Sequence, residues 1–245
     1  MVYPDLKTIR TLEIDALRKI MQIGSFSRLG QIQTAAAIAE SAINEFRGGV
    51  NVHLGFTLEI RLRGDRRGKP VARRIDVGAL VQAASDNVSV NNASYSLLIA
   101  RYADPTTSPI VRKIHFDYEP IEQRNAQEPK PSAHMQICGK FSSHHFAAGY
   151  TEVRLKSLYP SWEKPRIPIP PTSIALMLNW LLLEFQTDPA SQSILSDPTW
   201  RNCVIRAEQA ILKPYFAAGA RFLASASNAK QRFLQSHLYE LGVDA

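Results

Sequence analysis

The sequence predicts an α+β fold: an N-terminal helix pair, an antiparallel meander of about five or six strands, and a helical C-terminal third. Three observations predict it. Apolar residues recur at helical spacing in the first 46 residues, strand patterns with alternating segments take over between Val50 and Lys140, and helical spacing returns after a proline-rich stretch. Runs of strands followed by runs of helices mark α+β folds rather than alternating α/β folds.

Taken in order, Asp5–Ile23 carries Leu6, Ile9, Leu12, Leu17, Ile20 and Met21 on one helical stripe, and Gly24-Ser25 ends it. A second helix is expected from about Ser27 to Phe46, closed by Gly48-Gly49. Val50–Arg63 alternates, with Val52, Leu54, Phe56, Leu58, Ile60 and Leu62 opposed to polar neighbours. Gly64–Gly68 has turn chemistry, and Val71–Val77 is the return strand. Gly78–Ser85 fits a short helix as well as anything else, and Asp86–Ala93 reads as loop. Tyr95–Tyr102 is apolar on both faces, as an inner strand should be.

The densest set of titratable groups comes next. In VRKIHFDYEP, Ile114, Phe116 and Tyr118 oppose Lys113, His115, Asp117 and Glu119. In SAHMQICGKF, Ala133, Met135, Ile137 and Phe141 oppose His134, Gln136, Cys138 and Lys140. If the two strands pair, one open face gathers two histidines, a carboxylate, an amide and lysines. Val153–Leu158 is a further strand candidate. Residues 159–171, with five prolines, read as an extended connector over the surface. Thr172 or Ser173 caps a nearly all-apolar helix, Ile174–Phe185; Asp197-Pro198 opens another that runs to about Tyr215, where Pro214 is a potential break; Asn228–Leu241 forms the last. The divisions are 1–158, 159–171 and 172–245, packed as one globular unit.

Net charge is +7 over 245 residues, which permits an anionic partner without requiring one. Two cysteines are too few for a disulfide framework. The first 22 residues are crossed by charges, so no signal peptide is expected, and no apolar run reaches the ~20 residues a membrane span needs. The expected setting is cytoplasmic, with no membrane association.

Two constellations bear on function. Arg61, Arg63, Arg66, Arg67, Lys69, Arg73 and Arg74 set seven cations against Asp65 within fourteen residues. A two-stranded tip of this kind suits phosphate oxygens; it is equally an ordinary solvated hairpin or a dock for an acidic protein. The second constellation is His115, Asp117, His134, Gln136, Lys113 and Lys140. His115 and His134 would serve as acid and base, Asp117 would orient His115, and a lysine would balance phosphate charge. Its alternative is a solvated or covered sheet face with satisfied polar groups.

A metal site drawn from His134, Cys138, His144 and His145 is disfavoured, because positions 134 and 138 lie about 13 Å apart along a strand. No P-loop, GxGxxG, nucleophile elbow, HExxH or paired CxxC motif occurs. No cofactor is expected, and the reading leans away from an enzyme.

Across 111–185, HFDYEP, PSAHMQI and PRIPIPP followed by a Leu-rich helix resemble families of uncharacterised bacterial proteins, some from toxin–antitoxin or anti-phage defence loci. The strand pair is also similar to that of TumE-type toxins, which lack such helical terminal regions. The resemblance implies an accessory or effector role, with His115, Asp117 and His134 at the matching positions. The leading expectation is a soluble binding component that contacts RNA or DNA through Arg61–Arg74 and works with a protein partner. The alternatives are a metal-independent nuclease and a purely structural subunit.

Overall fold

The computed structural model describes residues 3–23, 51–62, 71–100, 110–119, 132–137, 162–185 and 188–225; in 51–62, 71–73, 110–111, 162–166, 168 and 222–225 it describes the backbone alone. Within them the chain is α+β. Helix α1 (Leu6–Gln22) precedes strands β1 (Asn51–Leu62), β2 (Val71–Ala83), β3 (Val90–Ala100), β4 (Ile110–Tyr118), β5 (Ala133–Ile137) and β6 (Trp162–Pro168). Helices α2 (Ile174–Glu184), α3 (Pro189–Ser196) and α4 (Pro198–Ala207) follow, then a π-helical turn (Glu208–Leu212) and α5 (Lys213–Ser225). The strands form one antiparallel sheet in sequence order, β1 to β6.

Local chemistry accounts for each boundary. Asp5 caps α1 by accepting from the Thr8 N–H at 2.7 Å. Ser173 caps α2 through the Leu176 N–H at 3.3 Å. Asp188-Pro189 and Asp197-Pro198 both place a carboxylate at N-cap and a proline at the first helical position. The first of these pairs opens a helix that the sequence reading left unassigned. The β2–β3 turn is tied by Asp86, which accepts from the Val88 and Ser89 N–H groups at 2.8 Å each. These bonds, led by the one from Ser89, hold its carboxyl below the ordinary range. Asn87 supplies the left-handed residue there, with φ 54°.

Several expectations are corrected. Residues 78–83 continue β2 rather than forming a helix, and β3 begins at Val90, inside the stretch expected to be loop. Residues 162–168 of the proline-rich connector are β6, paired to β5 through His134–Pro168, Met135–Ile167 and Ile137–Trp162. Among the described residues this strand is the outermost of the sheet order, a position where prolines are tolerated because one row of amides needs no strand partner. Pro214 does not end the helical run. The missing amide that would break an α-ladder falls just after the π-helical turn, and α5 continues to Ser225. The expected helices at 27–46 and 228–241 and the strand at 153–158 lie outside the described residues.

One hydrophobic core joins the sheet to the helices. Ile75, Val77, Ala79 and Val81 of β2, Tyr95 and Leu97 of β3, and Ile114, Phe116 and Tyr118 of β4 are buried on one sheet face. Against them lie Ile9, Leu17 and Ile20 of α1, Met177, Leu178 and Leu181 of α2, and Trp200 and Val204 of α4. α2 is apolar on nearly every side, and six of its eleven residues are buried, as expected of a central helix. Trp200 is fully buried, and its indole N–H donates to Asn179 Oδ1 of α2 at 3.2 Å.

Candidate functional site

The polar face of the sheet is built from alternation plus register. Burying Ile114, Phe116 and Tyr118 sends Lys113, His115 and Asp117 to the other side of β4. Residues directly opposite one another then share that face. Register aligns Ser94, Asp117 and His134 in one row across β3, β4 and β5, and Ser96, His115 and Gln136 in the next. Lys113 lies one row further, opposite Leu98.

In the first row the Ser94 hydroxyl donates to Asp117 Oδ1 at 2.5 Å, and His134 Nε2 stands 3.8 Å from Asp117 Oδ2. Asp117 therefore serves His134 and Ser94, not His115. Cross-strand neighbours stand ~5 Å apart at Cβ, whereas positions 115 and 117 are separated by two strand rises, roughly 7 Å. The face is also less open than alternation alone suggests, for His134 is only 2% exposed. His115 is half-buried, and its pKa falls from 6.5 to about 4, mainly through burial and then through the Lys113 charge. Its Nε2 is buried with no hydrogen-bond partner among the described residues. Burial also lowers the Lys113 pKa, with the Asp117 charge opposing it.

This geometry limits the chemistry. The serine hydroxyl is bonded to the carboxylate rather than to an imidazole, so Ser94, Asp117 and His134 do not form a nucleophile–base–orienter series. His115 is neutral at physiological pH, able to accept a proton but not to donate as an acid. Lys140, Cys138, His144 and His145 lie outside the described residues, so the structure brings five of the six proposed catalytic residues together and is silent on Lys140. Among the described residues, no group of three or more His, Cys, Asp or Glu is placed to hold a metal.

The basic hairpin has a definite backbone. β1 and β2 pair without interruption from Asn51–Gln82 to Leu62–Val71, and Glu59 is opposite Arg74 and Arg61 opposite Ala72. Among the described residues, β2 pairs with β3 from Ile75 onward. Residues 59–62 and 71–74 form the paired end of these two strands. Arg61, Arg73 and Arg74 lie on this ribbon. Arg63, Arg66, Arg67 and Lys69 belong to its connection, outside the described residues. Arg74 Nε is 3.3 Å from Asp76 Oδ1, so one of the seven cations is already partnered.

Two functional candidates escaped the sequence reading. Ser94 is one, because only the β3 register reveals that it faces Asp117. Glu13 is the other. It is wholly buried on α1, between Ile9 and Leu17 on the apolar stripe, and burial raises its pKa from 4.5 to about 7. A carboxylate four residues from each of two core positions was the available signal.

Comparison with protein-family models, curated proteins and solved structures gives no match. No helix among the described residues is long and apolar enough to cross a membrane.

Proposed function

We propose that this protein is a non-catalytic binding component that contacts nucleic acid through the β1–β2 ribbon and its arginine-rich connection, acting with a protein partner. The observation that carries the reading is the uninterrupted β1–β2 pairing out to Leu62–Val71, which brings Arg61, Arg73 and Arg74 to the end of a ribbon whose connection carries Arg63, Arg66, Arg67 and Lys69. A two-stranded ribbon fits the major groove of duplex DNA, about 12 Å wide, and guanidinium forks match phosphate oxygens. Large apolar side chains left exposed on α2, Trp180 at 37% and Leu183 at 48%, support a protein partner. The polar sheet face, where Ser94 bonds Asp117 beside the buried His134, is read as support for the β3–β4–β5 register, not as a reaction centre.

A second reading, metal-independent phosphodiester cleavage, rests on the register that sets Asp117 opposite His134. One gel assay with labelled RNA and DNA at graded salt, scoring shift and cleavage together, separates the readings. Binding predicts a salt-sensitive shift with intact probe, retained in His134→Ala. Cleavage abolished by His134→Ala would overturn the non-catalytic reading, and absence of both shift and cleavage at low salt would overturn both.

A further inference from the structure

Glu13 joins three parts of the fold through one carboxyl group. The Tyr95 hydroxyl of β3 donates to its Oε1 at 2.5 Å, and the Ile174 N–H at the start of α2 donates to Oε2 at 3.0 Å. The Tyr95 oxygen lies 3.4 Å from that of Tyr3, either hydroxyl being able to donate, and Tyr3 donates to the Thr172 carbonyl at 3.0 Å. Tyr3 also stacks on Tyr118 of β4, with ring centroids 4.2 Å apart. The series Glu13–Tyr95–Tyr3–Thr172 thus runs from α1 through the sheet to the residue before the α2 cap.

Among the described residues, charge around this group is sparse. Besides Tyr3, Tyr95 and the Ile174 N–H, the Glu13 charge reaches the Cys203 thiol of α4, which is itself pushed up to about 12, mainly by burial. Asp15 and Arg206, the nearby charged groups between α1 and α4, are ion-paired with each other. Among the described residues no cation pairs with Glu13. A buried carboxylate without a countercharge is costly, whereas the neutral acid is fully accommodated here. A proton on Oε1 donates to the Tyr95 oxygen, Tyr95 donates to Tyr3, and Tyr3 donates to Thr172, so every hydroxyl finds an acceptor. Glu13 is wholly buried, bonded to β3 and to the start of α2, so hydration of its charge requires the packing of α1 on these elements to open.

We infer that Glu13 is a proton-operated latch: as the neutral acid it holds α1 against β3 and the start of α2, and loss of its proton to water favours release of α1. The latch couples pH near neutrality to exposure of the core surface that α1 covers. With ionisation at an ordinary 4.5 in the open form and about 7 in the closed form, the opening constant rises about tenfold per pH unit between these values and levels off above them.

Amide hydrogen exchange of α1 in the full chain, corrected for intrinsic exchange chemistry, tests it. Wild type should show that tenfold-per-unit rise. Glu13→Gln should be flat and closed, because its amide donates to Tyr95 and accepts from Ile174 as the neutral acid does. A flat wild type, or the same rise in Glu13→Gln, would overturn the latch. Should Glu13→Gln fail to fold, the carbon-13 carboxyl resonance of Glu13 in the wild-type protein decides. A titration midpoint near 7 supports the latch, and one near 4.5 refutes it.

Discussion

Glu13 and His115 should leave opposite marks on global stability, and the pair can be separated by substitution. The folded-state pKa of Glu13 lies above its unfolded value, about 7 against 4.5. Its ionisation adds no cost below pH 4.5, and the cost grows as pH rises, reaching ~3 kcal/mol above pH 7 at about 1.4 kcal/mol per unit. The His115 pKa is depressed, about 4 against 6.5. Its stability contribution is full above pH 6.5 and is lost as pH falls towards 4, again by ~3 kcal/mol. Between pH 4.5 and 6.5 the two slopes cancel, and between 6.5 and 7 only the Glu13 slope remains. Urea unfolding at half-unit pH intervals reads both. Relative to wild type, Glu13→Gln should gain about 3 kcal/mol as pH rises from 4.5 to 7, and His115→Gln should gain a similar amount as pH falls from 6.5 to 4. Against a total stability on the order of 5–15 kcal/mol these are large effects. A pH-independent difference between Glu13→Gln and wild type would refute the assignment of the buried charge.

Other substitutions follow from the packing. Trp200→Phe keeps a ring in the core but strands Asn179 Oδ1, so a loss of ~2 kcal/mol is expected in denaturant melts. Asp197→Ala removes acceptors for the Thr199 and Trp200 N–H groups at the start of α4 and should cost ~1 kcal/mol by the same assay. His134→Ala should destabilise the β4–β5 pairing yet leave nucleic-acid affinity within about twofold by gel shift, because His134 is buried and the ribbon is a separate feature.

The meander was legible wherever polarity alternated. Ile114, Phe116 and Tyr118 against Lys113, His115 and Asp117 defined both faces of β4, and β5 faced it as the pattern required. Register against β3 was not legible. Val90-Asn91-Asn92-Ala93 alternates too little to show where that strand begins, so Ser94 could not be set opposite Asp117. β6 was hidden because prolines argue against an inner strand but not against an outermost one. Glu13 counted only as a charge interrupting an apolar segment. Its role depends on α2 beginning within reach of α1, a contact between residues 161 positions apart. Long-range pairings of this kind have no local signature in the chain, whereas caps such as Asp197-Pro198 do.

The central claim, that the basic ribbon end engages phosphates, is tested most directly by the salt dependence of binding to a short DNA duplex. For each phosphate neutralised, log K should fall with log salt by about 0.9. If four to six of the seven cations at 61–74 take part, wild type should show a slope of about −4 to −5. Arg66→Glu with Arg67→Glu should bring it closer to zero by at least about 2, with melting unchanged. An unchanged slope in the double variant, or affinity indifferent to salt in wild type, would contradict the account.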